Sequence, residues 1–307
     1  MAHASKIDVV GTGFVVLDRI YENNEKAFEA LGGSCANVLW SLAMLELSVA
    51  PVLRLGSDEI GRELCEQFAI AGANTTYIAR RENLFSPILV QQTDTLMGTH
   101  HFSFTCPETN TEFPRYQPID QNDLSAAVDA IGNCSVFYSD RVSDAIVTAM
   151  ETAADAQGIV YFEPSAIGDR DLFDRAIRAS SIVKFSGDRL GAELLPTLRE
   201  LNIVGIMTHG AKGLEVRQAD NTVWCDAISI VQVKDSSGSG DMVSVGLIDH
   251  LISLKQSRFT LDIEVVLDGV RAGQRLAAAN CEYLGARGLF QHQSPGLVRK
   301  ILDGVAA

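Results

Sequence analysis

From Cys134 to Thr208 the chain repeats one unit: a short, mainly apolar run followed by a stretch with helical spacing. "SVFYS" precedes a helix expected over 143–156, "IVYFE" one over 171–179 and "SIVKF" one over 189–200, and "IVGIMT" follows. Mainly apolar runs need cover on both faces, and strands that alternate with helices pair in parallel. The spacing therefore predicts an α/β protein with a mainly parallel sheet between helical layers. "IDVVGTG" (Ile7–Gly13) reads as a further buried strand. "SCANVLWSLAMLEL" (Ser34–Leu47) reads as a helix capped by Ser34, and "EIGRELCEQFAIAGA" as a second helix ending at Gly72. "LEVRQADNTVWCDAISIVQV" has the pattern of a hairpin, and Asp241 to Leu302 is mainly helical. The rhythm breaks between residues 75 and 105, where "SPILVQQT" and "THHFSFT" look like antiparallel strands. With residues 14–24 they are too few for a core of their own. They are expected to form a lid on a single domain spanning 1–307. Ligands of open parallel sheets bind at the carboxyl ends of the strands, and the motifs below fall there.

The net charge of −14 opposes binding to nucleic acid or an anionic membrane over most of the surface. Hydrophobic content of 47% with 21% charged residues fits a globular enzyme. Cys35, Cys65, Cys106, Cys134, Cys225 and Cys281 are scattered with no C-x-x-C pair. They read as free thiols in a reducing cytosol, without a structural zinc. The start "MAHASKIDVVGTG" lacks the apolar run of a signal peptide, and no segment has transmembrane length. A cytoplasmic protein is expected.

"DSSGSGDMVSVG" (Asp235–Gly246) places glycines and serines just ahead of an apolar helix. Gly238, Ser239 and Gly240 leave the backbone free to curl so that amides and the positive helix end converge on one anion. Asp241 beside that spot serves either as an N-cap or as a chemical group. The helix amides favour its ionised form. "LGGSCAN" (Leu31–Asn37) sets a double glycine before a helix, with Asn37 one turn in, able to donate and accept. "THGAKG" (Thr208–Gly213) suits either a phosphate-facing turn or an ordinary hairpin turn. No Walker A loop and no G-x-S-x-G elbow occurs, and "GTGFVV" fails G-x-G-x-x-G. His100 and His101 are neighbours on an expected strand, face opposite ways and cannot chelate together.

In combination these stretches resemble the ribokinase-like (PfkB-type) family of carbohydrate and nucleoside kinases over nearly the full length. The resemblance rests on Asp18, then "GGSCANVLWSLAML", then "LGSDEIGRELCEQFAIAGANTTYI", and finally "DSSGSGDMVSVGL", similar to the family's D-T-x-G-A-G-D signature. It implies a three-layer α/β/α body with a β lid, and phosphorylation of a sugar-like hydroxyl by MgATP. Asp241 would be the general base, and Gly238, Ser239 and Gly240 the anion hole. Asp18, Gly33 and Asn37 would hold the acceptor, Thr208, Gly210 and Gly213 the nucleotide phosphates, and Asn280 would flank the base. Asp235 stands where members often place a monovalent cation such as K⁺, and a homodimer through the lid is expected by analogy. One stretch departs: "SGDR" (Ser186–Arg189) replaces the family's N-x-x-E, which helps organise magnesium, and leaves Asp188 as the candidate ligand. Two alternatives stay open. One is a nucleoside kinase with Phe14, Phe102 or Phe104 as an aromatic platform. The other is a catalytically weak ligand-sensing protein on a kinase fold.

Overall fold

The computed structural model describes residues 6–22, 25–94 and 99–305. The chain begins with β1 (Ile7–Thr12), β2 (Val16–Glu22), β3 (Glu25–Gly32), α1 (Ser34–Met44), β4 (Val49–Pro51) and β5 (Leu53–Gly56). It continues through α2 (Glu59–Ile70), β6 (Ile78–Arg81), β7 (Ile88–Asp94) and β8 (Thr99–Ser103). The regular part is α3 (Gln121–Ile131), β9 (Cys134–Ser139), α4 (Asp144–Asp155), β10 (Ile159–Phe162), α5 (Arg170–Ala179), β11 (Ile182–Ser186), α6 (Gly187–Glu200) and β12 (Val204–Thr208). A hairpin of β13 (Gly213–Gln218) and β14 (Asn221–Asp226) precedes α7 (Ser239–Ser253), α8 (Ile263–Asn280), α9 (Gly288–His292) and α10 (Pro295–Asp303).

Eight strands form the main sheet in the order β14-β13-β12-β11-β10-β9-β1-β4. From β12 to β4 neighbours run parallel, and the closing hairpin is antiparallel. Strand residues alternate between two cores, as the period of two requires. Val9, Val136, Tyr138, Tyr161 and Ile182 face the layer that holds α1, α7 and α8. Val10, Phe137, Val160, Phe162 and Val183 face the layer of α3 to α6. Three layers result, as expected.

A second sheet, β3-β2-β7-β8, corresponds to the expected lid strands, with two differences. The strand β3 was not read from the sequence, and β2 pairs with β7 in parallel while the outer pairs are antiparallel. The strand β6 belongs elsewhere, in a separate pair with β5. His101 is exposed on β8, and the side chain of His100 lies outside the described residues. All six cysteines are free. Among the described residues no helix is long and apolar enough to cross a membrane.

Helix starts divide into two groups. Asp58, Asp120, Ser143, Asp169, Asp262 and Ser294 cap α2, α3, α4, α5, α8 and α10 with their own side chains. Helices α1, α6, α7 and the short α9 start without any side-chain cap. Ser34 is thus not the cap expected of it; Gly33 holds that position.

The placement of α7 depends on backbone contact with α8. A Cβ on Gly246 would overlap Gly273, and one on Gly273 would lie 2.6 Å from Val243 Cα. Gly273→Ala should therefore force the helices apart, at a cost of about 1–3 kcal/mol. We expect its melting temperature to fall by roughly 2–6 °C, whereas Gly296→Ala in α10, where nothing lies within 4 Å, should leave it level or raise it slightly. Equal melting curves for the two variants would show that the α7–α8 contact is not tight.

Candidate active site

The uncapped starts of α1, α6 and α7, with Arg287 at the uncapped start of the short α9, gather at the carboxyl ends of the parallel strands. They border a cleft of about 790 Å³ that the four-stranded sheet overhangs. Gly33 and Ser34 at α1, Arg189 in α6 and Gly238 at α7 all line it. From the lid come Asp18, Ile20, Phe28, Leu89 and Phe102.

Gly238 is the N-cap of α7, with φ 71°. A Cβ there would stand 2.6 Å from Ala286, so both the backbone and its neighbour demand glycine. Gly240 differs. A Cβ on it would meet only Lys184 Nζ, at 3.5 Å, so nothing in the protein requires glycine there; a ligand pressed against the backbone would. Ser239 opens the helix between them.

Asp241 is the third residue of α7 and caps nothing, which removes the N-cap reading. It is buried beneath the cleft, and Asn37 Nδ2, on α1, donates to its Oδ2 at 2.8 Å. Burial, reinforced by the charge of Glu163, raises its pKa to about 7, with Lys184 and Asn37 pulling the other way. The expectation that helix amides would hold it ionised is thereby corrected: desolvation outweighs them.

Two residues that the sequence reading passed over organise this region. Lys184, only 3% exposed in β11, pairs with Glu163 at the end of β10 and donates to Gly240 O at 3.0 Å. Glu163 also accepts from Ser244 Oγ at 2.7 Å and Tyr138 OH at 3.2 Å. A lysine within a buried apolar strand must have a charged partner, and that was the available signal.

At the lid end, burial raises the Asp18 pKa to about 7 despite the nearby charge of Arg287. A Cβ on Gly32 would overlap the Asp18 carboxylate, and Gly33 has φ 92°. The double glycine thus lets Asp18 lie flat against the turn into α1. Asp140, after β9, accepts the Phe14 amide at 2.8 Å. Burial raises its pKa to about 6. The neighbouring Arg141 guanidinium stacks 4.3 Å from the Phe14 ring.

Other expected residues are placed differently. Thr208, Gly210 and Gly213 do not line the cleft. They form the turn after β12, and Gly213 is pressed against Cys225 of β14. Asn280, expected at the nucleotide base, is completely buried. Its Nδ2 donates to Ala286 O at 3.2 Å and Gly285 O at 3.3 Å, and its Oδ1 accepts the Leu289 amide at 2.9 Å. An amide so committed braces the wall behind Gly238. Asp235 lines the cleft while its oxygens accept the amides of Ser237 at 2.8 Å and Gly285 at 2.9 Å. Asp188 is exposed in the first turn of α6. Among the described residues no group of three or more His, Cys, Asp or Glu side chains could hold a metal ion. Phe104 lies under Arg115 and outside the cleft lining.

This arrangement has counterparts. A fructokinase of Escherichia coli is 25% identical over 287 residues, covering 86% of this chain and 90% of the relative. The structure of a fructokinase with bound ATP from Xylella fastidiosa superposes with TM-score 0.80 at 19% identity, covering 97% of this chain and 98% of the other. Aminoimidazole riboside kinase from Salmonella enterica gives TM-score 0.75 at 20% identity, covering 96% and 100%. The family model described as pfkB family carbohydrate kinase matches residues 6–292. Because that match spans nearly the whole sequence, the chain belongs to the PfkB family of carbohydrate kinases.

Proposed function

We propose that the protein transfers the γ-phosphoryl group of ATP to a hydroxyl of a sugar or sugar derivative, with Asp241 as general base. The observation that carries the proposal is a buried carboxylate, free of any capping duty, at the start of an uncapped helix behind a glycine loop. The Escherichia coli relative bears the name fructokinase and the Xylella neighbour holds ATP, both in keeping with this assignment.

In the proposed step the acceptor oxygen attacks the γ-phosphorus, the bond to the β-phosphate oxygen breaks, and ADP leaves. The hydroxyl proton passes to the Asp241 carboxylate. Amides of Gly238 and Gly240, at the positive end of α7, would face the charge that develops on the transferring group, while the Ser239 amide already donates to Ser236 O at 3.2 Å and braces the loop. Asp18, Gly33 and Asn37 orient the acceptor, and much of the acceleration is positional. The turn Thr208–Gly213, outside the cleft lining, would meet only the far end of the nucleotide. Mg²⁺ bound to ATP would neutralise phosphate oxygens, held by the phosphates and water, with Asp188 as the protein's candidate ligand. A monovalent cation at Asp235 would share a carboxylate that already receives two amides. A riboside acceptor is the second reading, favoured by the exposed rings of Phe28 and Phe102 on the cleft.

Asp241→Asn keeps the shape but cannot take the proton. We expect kcat to fall by roughly 10²–10⁴-fold with ATP affinity unchanged; wild-type turnover would remove the base. The wild-type acid limb should lie near pH 7, since protonation through the raised pKa of about 7 disables the base. The same shift sets a stability signature. The folded carboxyl holds its proton more tightly than the unfolded one, at about 7 against 3.8. Its stabilisation is full below about pH 4 and lost as pH rises through 7. Asp241→Asn should thus melt higher than wild type at pH 8, and the gap should close toward pH 4. A gap that widens on acidification would reverse the sign of the shift.

EDTA should abolish turnover. Asp188→Ala should leave the half-saturating Mg²⁺ concentration within about twofold, because coordination by phosphate and water suffices. A tenfold rise in titrated kinetics would make Asp188 a ligand.

A further inference from the structure

Three buried polar atoms around the lid end of the cleft have no hydrogen-bond partner among the described residues: Asp18 Oδ1, Asn37 Oδ1 and Arg287 Nη1. All three side chains line the same cleft. Buried groups of this kind are normally satisfied, and each one left empty is costly. Arg287 is the least expected of them. It stands at the start of α9, only 4% exposed. Nη2 donates to Leu31 O, and the guanidinium carbon lies 4.6 Å from the Trp40 ring centroid. Those two contacts clamp the fork in one plane and leave Nη1 as its open donor. Leu31 directly precedes Gly32, against which Asp18 lies, so the guanidinium and the carboxylate face one another across the double glycine.

Resting on the carbohydrate-kinase assignment of the cleft, we propose that Arg287 is a specificity-determining residue for the acceptor. It donates from Nη1 to a hydroxyl oxygen whose own proton goes to Asp18 Oδ1, while a second hydroxyl donates to Asn37 Oδ1. The set asks for two hydrogen donors and one oxygen acceptor, which a neutral polyol with neighbouring hydroxyls supplies. Above about pH 7, where Asp18 is ionised, a carboxylate would satisfy Arg287 but has no proton for Asp18, and the two negative charges would repel. The selected class is therefore a neutral polyhydroxy acceptor; acidic sugars are disfavoured at this end. The clamped fork reads one hydroxyl, a task a flexible lysine performs less well.

The experiment uses the full chain with D-fructose, D-ribose, gluconate and the monodeoxy derivatives of the better neutral acceptor. Arg287→Met should raise acceptor KM by roughly 10–100-fold, the cost of an unpaired buried carboxylate oxygen, with kcat and ATP KM within about twofold. Arg287→Lys, which keeps a cation beside Asp18 and Trp40, should raise acceptor KM by a smaller factor of about 3–10. On one monodeoxy derivative the wild type should show the same loss, and Arg287→Met should lose nothing further. A merely structural arginine would instead give equal losses on every derivative, together with weaker ATP binding, and that result overturns the assignment. So does an unchanged acceptor KM in either variant, or a preference for gluconate. If Arg287→Met does not fold, the lysine variant and the wild-type derivative series decide the matter. Failure of the wild type to turn over any acceptor would sink the kinase assignment, a result distinct from turnover insensitive to residue 287.

Discussion

One buried cation holds the chemistry of this fold in place. Asp140, Glu163 and Asp241 lie under the same sheet edge, and carboxylates taken out of water are expensive unless paired. Lys184 meets that demand for Glu163 and, from the same ammonium, fixes the carbonyl of Gly240. A peptide unit is planar with its C=O and N–H opposed. Anchoring that carbonyl therefore aims the next amide, that of Asp241, out of the helix start and toward the cleft. Lys184 thus serves two purposes: it neutralises one acid and orients the dipole beside another. Asp241 is left with incomplete compensation, which is why its carboxyl sits near neutrality and not in the ordinary carboxylate range.

The parts of this design that depend on local pattern were legible in the sequence. The strands β9 to β12 follow from mainly apolar runs, and α4, α5 and α6 from the helical spacing between them. Asp241 stood out because an acidic residue beside an anion-binding turn has no purpose in a plain loop. What escaped depends on contacts between distant segments. Asn37 reaches Asp241 across 204 positions, and Arg287 reaches Leu31 across 256; no spacing rule links residues so far apart. The bracing contacts of Asn280 escaped for the same reason. Its loose motif match said nothing of the backbone groups it would satisfy once folded. The strand β3 was missed because its exposed half, Glu25 to Phe28, carries no alternation of buried and solvated residues.

The same contrast explains the uncapped helices. A side-chain cap stabilises a helix by about 1 kcal/mol, and this chain uses one on every long helix whose start lies away from the cleft. At α1, α6 and α7 the amides are left open where a ligand could meet them. The stability forgone there is recovered in packing: α7 is locked through backbone contact with α8, so an uncapped start remains fixed without its own cap.

Charge completes the division of the cleft. The chain carries a net −14, a field that by itself repels an anion. Yet the cleft is lined by Arg141, Arg189, Lys234 and Arg287 as well as by helix starts. Arg141 and Arg287 face Asp140 and Asp18, so their charge is largely cancelled at the lid end. Arg189 and Lys234 lie toward the glycine loop, with the open amides of α6 and α7. A polyanion is thus drawn to one end, and a neutral hydroxylated molecule fits the other without opposing charge. The two meet between Asn37 and Gly238, and Asn37 carries the contact through to the buried Asp241 behind them.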